Sequence, residues 1–499
     1  FKITNSIIKT ISSNIGIQFK HDFVNQNITM NDVKNSEQLL IPVMSDGDVT
    51  FVSQLSEYLH DRGFEVVFLP ENLGLKDAIQ SEANSERVLQ DPPDHSPKQP
   101  LDQLLEKFNI DSPRSFVATE MAYDYIYPKP SSKPYFFSEF DSSDYDPYIT
   151  KLHRCLDFLD ELYQDGYRGV PLQNQGGEIL RRSLQAVADY YDVPSIWVGF
   201  SPISGTSGFH RDESESWNTI EEASYEKMTS EEIERAEEFI DQFRSDSGQI
   251  QSGPHQRSLA ENIRQKTEII RRHAQDLGPY IKRWTRGNIF KRISAAYADW
   301  KYLDYDISDE LVKESDYVFY PLQYYRESRV LVRAPAFYKQ SWLVEYLSRS
   351  VPYDHELFVK DHPRQVGAQP KSEVDTIVRH SKALAPTYPV ASILENASVV
   401  VVLNNTVGYE ALLYGKPVVT LGEAFYTDTR FTHSVDDVNE LPRALTKAID
   451  EGGPTREELV EFVHGLIEGS FDGEWGDKSS ENVTSLSDSI CAFYEEMLE

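Results

Sequence analysis

The stretch Val399-Val400-Val401-Val402-Leu403-Asn404-Asn405-Thr406-Val407-Gly408-Tyr409-Glu410-Ala411-Leu412 decides the fold. It opens on an unbroken aliphatic run, mostly β-branched, the composition of a strand buried on both faces. Polarity changes abruptly at Asn404-Asn405-Thr406. Helical spacing then takes over from about Val407 to Tyr414 and stops at Gly415. Pro417–Leu421 is apolar again and reads as the next strand. Strand, turn, helix and strand in that order make the βαβ unit of a parallel sheet.

Working outward, the same rhythm recurs on the N-terminal side of this stretch. Tyr317–Tyr320 and Glu356–Lys360 read as strands, with a helix over Tyr338–Arg349 between them. It recurs in the first half of the chain. Leu39–Met44 is a strand, Ser45-Asp46-Gly47-Asp48 a turn, Val49–Arg62 an amphipathic helix ended by Gly63, and Phe64–Leu69 a second strand. Further on, Ser115–Thr119 reads as a strand, Ile149–Leu162 as a helix and Gly169–Asn174 as a strand ending in a polar turn. Gly176–Tyr191 reads as a helix and Pro194–Phe200 as a strand. Residues 82–112 are rich in Asp, Pro and Ser and read as a long loop, and Ser131–Asp146 is aromatic and irregular.

Residues 213–300 differ. Glu and Arg dominate, Gly and Pro are few, and Ile220–Arg244 and Arg257–Gln275 have the spacing of amphipathic helices. Thr455–Glu468 and Ser485–Glu499 are helical as well. The expectation is an α/β protein of two Rossmann-like, doubly wound domains facing a cleft, with a helical insertion. Its boundaries run as an arm over 1–37, a first domain over 38–210, the insertion over 211–305, a second domain over 306–445 and terminal helices over 446–499.

Composition narrows the partners. The chain has 499 residues with 39% hydrophobic content, enough for a large core. Its net charge of −32 argues against nucleic-acid binding, which needs a basic footprint. The acidic residues are spread along the whole chain. That suits a protein kept soluble at high salt, or simply an acidic surface. The 28 tyrosines serve general packing or sugar sites. Cys155 and Cys491 are too few and too far apart for a disulfide framework and fit a reducing compartment. No apolar run reaches the eighteen or so residues that span a bilayer, and the first residues carry no signal-peptide core. The expected location is cytoplasmic, with peripheral association at the inner face of the cell membrane left open.

Four places carry chemistry, each after a strand. At Asn405-Thr406 the free backbone N–H groups of a helix start suit a phosphate. Gly408 would let a ligand approach the backbone, and Glu410 could accept hydrogen bonds from ribose hydroxyls. In Lys360-Asp361-His362-Pro363-Arg364, His362 could hold phosphate or a nucleobase, with Lys360 and Arg364 adding positive charge. Pro321-Leu322-Gln323-Tyr324-Tyr325-Arg326-Glu327-Ser328 follows the first strand of the second domain. Asp46 and Asp48 follow the first strand of the first domain, where a general base would sit. Asp48 can also cap the next helix, which leaves Asp46 the better base, with Glu120 behind both. No metal cluster of His and Asp spacing is evident, and no cofactor is expected.

Together with Gly422-Glu423-Ala424-Phe425-Tyr426, these motifs resemble the capsular polysaccharide biosynthesis family, whose characterised bacterial members are β-Kdo glycosyltransferases. The order is Pro-Leu-Gln, Lys-x-His-Pro, Asn-Asn-Thr-Val-Gly-Tyr-Glu-Ala-Leu-Leu-Tyr-Gly-Lys-Pro-Val, then Gly-x-x-Phe-Tyr. The resemblance is specific over 317–430 and weaker over 38–210. It implies a GT-B-like fold and inverting transfer of a sugar from a nucleotide-activated donor, a CMP-linked one among the options, to a surface polysaccharide or glycolipid. The donor, a substrate and not a cofactor, would bind the second domain and the acceptor the first. The family's Gln-x-x-x-Asp pattern falls on Gln323 and Glu327, so the acidic member is Glu here. Its His-Pro pattern falls on His362 and Pro363. A polymer glycerophosphotransferase, a sugar epimerase of similar fold and a non-catalytic assembly or export component are the alternatives.

Overall fold

The computed structural model describes residues 38–82, 89, 95–126, 144–211, 217–245, 309–324, 327–362, 369, 371–384, 388–427 and 429–498. The expectations for 1–37 and Arg257–Gln275, and most of that for Ser131–Asp146, lie outside the described residues.

In chain order the first half contains β1 (Gln38–Val43), α1 (Asp46–Asp61), β2 (Glu65–Pro70), α2 (Leu73–Glu82), α3 (Leu101–Lys107), α4 (Pro113–Ile126) and α5 (Asp146–Gln164). Then come β3 (Val170–Asn174), α6 (Ile179–Tyr190), β4 (Ile196–Phe200), β5 (Thr206–His210), α7 (Asn218–Glu222) and α8 (Ser230–Ser245). The second half begins with α9 (Asp309–Glu314), β6 (Tyr317–Pro321), α10 (Ser328–Leu331), α11 (Gln340–Ser350), β7 (Glu356–Lys360), α12 (Lys371–His380) and β8 (Lys382–Leu384). It continues with α13 (Val390–Asn396), β9 (Val399–Val402), α14 (Thr406–Leu413), β10 (Val418–Thr420) and β11 (His433–Ser434). It ends with α15 (Leu441–Glu451), α16 (Arg456–Glu468), β12 (Ser470–Asp472) and α17 (Ser480–Leu498).

Two six-stranded sheets organise these elements, in the orders β12-β5-β4-β3-β1-β2 and β11-β10-β9-β6-β7-β8. Every pairing in the second sheet is parallel, as are β1–β2, β1–β3 and β3–β4 in the first. The winding reverses between β1 and β3 in one sheet and between β6 and β9 in the other. Ligands of doubly wound sheets bind outside the carboxyl ends of strands at such reversals. This is the two-sheet, GT-B-like α/β layout.

The valines of β9 are all fully buried, with helices on both faces of their sheet. Burial of each is worth about 1.5–3 kcal/mol. Gly415, with φ of 69°, ends α14, and Gly63, with φ of 94°, ends α1; a β-carbon is strained in that region. The helix at 455–468 starts on a reciprocal cap, Thr455 Oγ accepting from Glu458 N and the Glu458 carboxylate accepting from Thr455 N.

Several expectations need correction. Ser115–Thr119 is helical, inside α4, and its apolar Phe116 and Val117 pack sideways against α5 and α6. The helix expected from Val49 starts at Asp46, so Ser45 and not Asp48 holds its N-cap position. Ile220–Arg244 is split into α7 and α8, and the loop expected at 82–112 contains α3. Trp217, Ile220, Ala236 and Ile240 enter the core of the second sheet beside Val400, Leu412 and Phe462, so this stretch is part of that core. The C-terminal segment also crosses back. β12 pairs antiparallel with β5 at the edge of the first sheet, and α17 packs on α1, with Arg62 Nε donating to Asp488 Oδ1 at 2.7 Å. Among the described residues no helix is long and apolar enough to cross a membrane.

Candidate active site

The carboxyl ends of the two sheets face each other. Phe200, the last residue of β4, packs against Phe425 at 6.1 Å, and the Arg329 guanidinium lies 5.3 Å from the Phe200 ring. α10 also packs on α4.

At the reversal between β6 and β9 three segments converge. Leu322 N donates to Lys360 O at 2.9 Å, tying the β6 and β7 ends together. Asn405 Nδ2 donates to Pro321 O at 3.3 Å, and Asn404 Nδ2 to Arg329 O at 2.7 Å, adding the end of β9. The Gln340 carboxamide clamps the Gln323 backbone, accepting from Gln323 N at 2.7 Å and donating to Gln323 O at 2.6 Å. The Gln323 side chain is itself 2% exposed, yet neither its oxygen nor its nitrogen has a hydrogen-bond partner among the described residues. The side-chain oxygens of Asn404 and Asn405 are in the same condition. An unsatisfied buried polar group costs about 1–3 kcal/mol, so a clustering of them calls for explanation.

α14 opens at this point. Asn405 occupies its N-cap position without a side-chain cap bond, so the helix-start N–H groups are not covered by that side chain. At the far end Arg244 Nε of α8 donates to Leu413 O at 2.7 Å, a cation matched to the helix C-terminus. Glu410 lies one turn below Thr406 and is buried, accepting from the Thr406 hydroxyl instead of standing open to a ribose. Burial pushes its carboxyl up to about 8, against the opposing effects of Thr406 and Lys360. Burial likewise holds the Lys360 ammonium below its ordinary value, opposed by Asp361 and Glu410. Gly408 has a different use from the one expected. A β-carbon there would come within 2.6 Å of the Tyr426 hydroxyl, which donates to Asn405 O, so the glycine makes room for that ring.

His362 stacks on Tyr324, centroids 5.9 Å apart, and its backbone N–H donates to Asp361 Oδ1 at 2.8 Å. Glu327 holds the N-cap position of α10. Gln323, Lys360, His362, Asn405, Thr406 and Glu410 are thus brought to one edge, whereas Pro363 and Arg364 lie outside the described residues.

At the reversal of the first sheet, Asp46 is exposed and takes no hydrogen bond from a described residue, while Asp48 accepts from Ser45 Oγ at 2.9 Å. Beside them lies a cluster of which the sequence reading named only Glu120. Glu71 follows β2, and its N–H donates to Val43 O at 2.9 Å. Lys151 of α5 pairs with Glu71 and, at 2.6 Å, with Glu120 of α4. The other Glu120 oxygen accepts from Ile179 N at 2.9 Å, at the start of α6. Burial pushes the Lys151 ammonium down to about 8, opposed by Cys155 and Glu178. Glu71, Glu120, Lys151 and Ile179 are spread over more than a hundred residues of sequence, and no local spacing announces them.

Residues 229–437, which include every motif of the second edge, match the family model described as capsule polysaccharide biosynthesis protein. That segment, 229–437 of the 499 residues, is similar to the capsule polysaccharide biosynthesis family. Protein FixF of Sinorhizobium fredii is 29% identical over 167 residues, 31% of this chain and 39% of that protein. The chain therefore matches well under half the length of this curated relative. Among solved structures, the Thermosulfurimonas dismutans KpsC β-Kdo 2,7 transferase aligns at TM-score 0.35 and 13% identity, covering 67% of this chain and 89% of that one. A glycosyltransferase from Rickettsia africae aligns at TM-score 0.31 and 10% identity, covering 93% and 99%.

Proposed function

We propose that this chain is an inverting glycosyltransferase. It moves a sugar from a nucleotide-activated donor, bound at the second sheet's carboxyl edge, to a polysaccharide or glycolipid hydroxyl held at the first. The observation that carries the reading is the Gln323 carboxamide, buried with both polar atoms unpaired beside Lys360 and the start of α14. A neutral donor–acceptor pair next to a cation and helix-start N–H groups suits a base or sugar edge joined to a phosphate. Lys360 and α14 would stabilise charge on the departing phosphate as the glycosidic bond to it breaks. His362, stacked on Tyr324, would position the same group.

The acceptor hydroxyl must lose a proton as it attacks. Asp46 is the carboxylate of the first edge left unoccupied by described residues. Asp48 is held by Ser45, and Glu120 by Lys151 and Ile179 N. Asp46 is therefore assigned the general base, which takes the proton while the oxygen bonds the anomeric carbon from the face opposite the leaving phosphate.

The test is a thermal-shift screen of CMP, UDP, GDP and CDP species, followed by product analysis with the matching nucleotide sugars. A ligand at about 100 times its dissociation constant adds roughly 2.7 kcal/mol of stability. His362→Ala is expected to weaken the nucleotide that scores while leaving the unliganded melting temperature near wild type. Equal binding by His362→Ala would remove that residue from the donor site. Binding of no nucleotide by the wild type would remove the site itself.

A further inference from the structure

Two segments sixty residues apart bring a different kind of cluster together on the flank of α5. His95 Nε2 lies 2.8 Å from Asp157 Oδ2 and 3.9 Å from Glu161 Oε2, and the ligand-capable atoms of all three lie within 4.8 Å of one another. Asp157 and Glu161 are four residues apart on a helix, so both carboxylates face the same way. Ligands held at 2.0–2.2 Å around a tetrahedral ion are separated by roughly 3.3 Å, which falls between the two measured separations.

Everything around the cluster fixes it in place. Asp157 is fully buried, and its oxygens accept from Lys98 N and Gln99 N, both at 2.9 Å. Backbone donors of this kind orient a ligating carboxylate and leave lone pairs for an ion. The His95 ring meets Phe158 edge-on at 5.6 Å. His153 Nε2 lies 2.7 Å from Gln99 O, and Gln99 Nε2 donates to Asp160 Oδ2 at 2.8 Å, so the segment after His95 is stitched to α5. Glu161 pairs with Lys98, whose side chain is 71% exposed, and can exchange that solvated partner for another cation at little cost.

We propose that His95, Asp157 and Glu161 form a site for a divalent transition-metal ion of the zinc kind, clamping the segment 95–99 onto α5. An imidazole with two carboxylates favours such an ion over calcium or magnesium, which prefer oxygen throughout. Three protein ligands leave room for water in the fourth position. The alternative is a plain His–Asp hydrogen bond. The two exclude each other, because the bond needs a proton on Nε2 and the ion needs the lone pair there.

That exclusion supplies the test. The purified chain is stripped with a chelator and titrated with Zn²⁺ by calorimetry and with Co²⁺ by visible absorption. One equivalent of either ion is expected to bind, with a rise in melting temperature under Zn²⁺. His95→Gln keeps a side-chain donor toward Asp157 but is a poor ligand. Glu161→Gln, closer to the surface, keeps a partner for Lys98. Loss of an outer partner of a metal ligand costs about 10–100-fold, so each variant is expected to lose at least that much affinity. The idea is overturned if the wild type binds no stoichiometric ion, or if both variants bind as it does. In either case the cluster is a hydrogen-bonded latch only. If His95→Gln fails to fold, Glu161→Gln decides alone.

Discussion

The two facing edges differ in what holds them, although the first also buries polar atoms without partners among the described residues, Glu71 Oε2, Gln173 Oε1 and Asn174 Oδ1. At the first, the Glu71, Lys151 and Glu120 charges neutralise one another, and Glu120 also covers the start of α6. At the second, the amide groups of Gln323, Asn404 and Asn405 are buried with atoms unpaired, and Asn405 leaves the start of α14 uncapped. An ion-paired cluster stiffens a fold, whereas unpaired neutral groups store an unfavourable energy that a ligand can release. The difference is one of kind: paired charges at the first edge, and neutral amides beside an uncapped helix start at the second, where the proposed donor would sit. It also sets Asp46 apart, as an exposed carboxylate outside that ion-paired cluster.

The largest expected effect breaks the comparison on its first side. General-base catalysis is worth roughly a hundred- to ten-thousand-fold. Asp46→Asn is expected to lower turnover by about that factor, with nucleotide binding and melting temperature near wild type. Near-normal turnover in this variant moves the role to Asp48 or Glu120. Normal turnover in all three single variants removes the carboxylate base from the first edge.

The network around Lys151 is expected to answer in stability. Lys151→Met leaves two carboxylates facing each other without their cation. Breaking a buried ion pair from one side costs roughly 3–5 kcal/mol, and the 16% exposure of Lys151 places the effect at the lower end. Denaturant unfolding measures it. A loss under about 1 kcal/mol would put this cluster among solvated surface pairs.

How much of this was legible beforehand follows from where the signals lie. The strand-to-helix passage at Val399–Leu413 was legible because the valine run and the helical spacing meet inside one short stretch. Glu356–Lys360 was legible for the same local reason. Ser115–Thr119 was misread because Phe116-Val117 suits a strand in isolation, and only the packing against α5 and α6 makes it helical. β12 was missed because Ser470-Phe471-Asp472 is too short for a period, and its pairing with β5 is a contact across the chain. Gly408 was assigned to a ligand although Tyr426, eighteen residues on, fills the space. The unpaired state of Gln323 is a property of its surroundings, and no sequence pattern encodes it.

Gln323→Met sharpens the comparison on its second side. The substitution keeps the volume and removes both unpaired polar atoms. Relieving an unsatisfied buried group is expected to raise the stability of the unliganded chain by about 1 kcal/mol. The same change should weaken nucleotide binding, by an amount read from the thermal shift. Gain in one and loss in the other together mark a group kept for a ligand. Loss of stability instead would mean that the amide has partners in solution, and the contrast between the edges would fall.

The last expected effect concerns Glu410 and is read from a slope. Its carboxyl is pushed up to about 8 by burial, from the 4.5 of an ordinary glutamate. Between those values the folded chain holds a proton that the unfolded chain has released. Stability therefore falls as pH rises across that window and flattens above it. The groups facing Glu410 are Thr406, Lys360 and the phenols of Tyr409 and Tyr414; both phenols are held above their ordinary value, by burial first, and stay neutral throughout. Glu410→Gln carries no titrating proton, so its unfolding free energy should lack this component of the slope. Wild type should accordingly gain on the variant as the pH is lowered from about 8 to about 5, in denaturant melts at fixed ionic strength. A slope of the opposite sign would mean that Lys360 holds Glu410 ionised in the folded chain. The pair would then be a closed ion pair like those around Lys151, and the two edges would be alike where they are taken to differ.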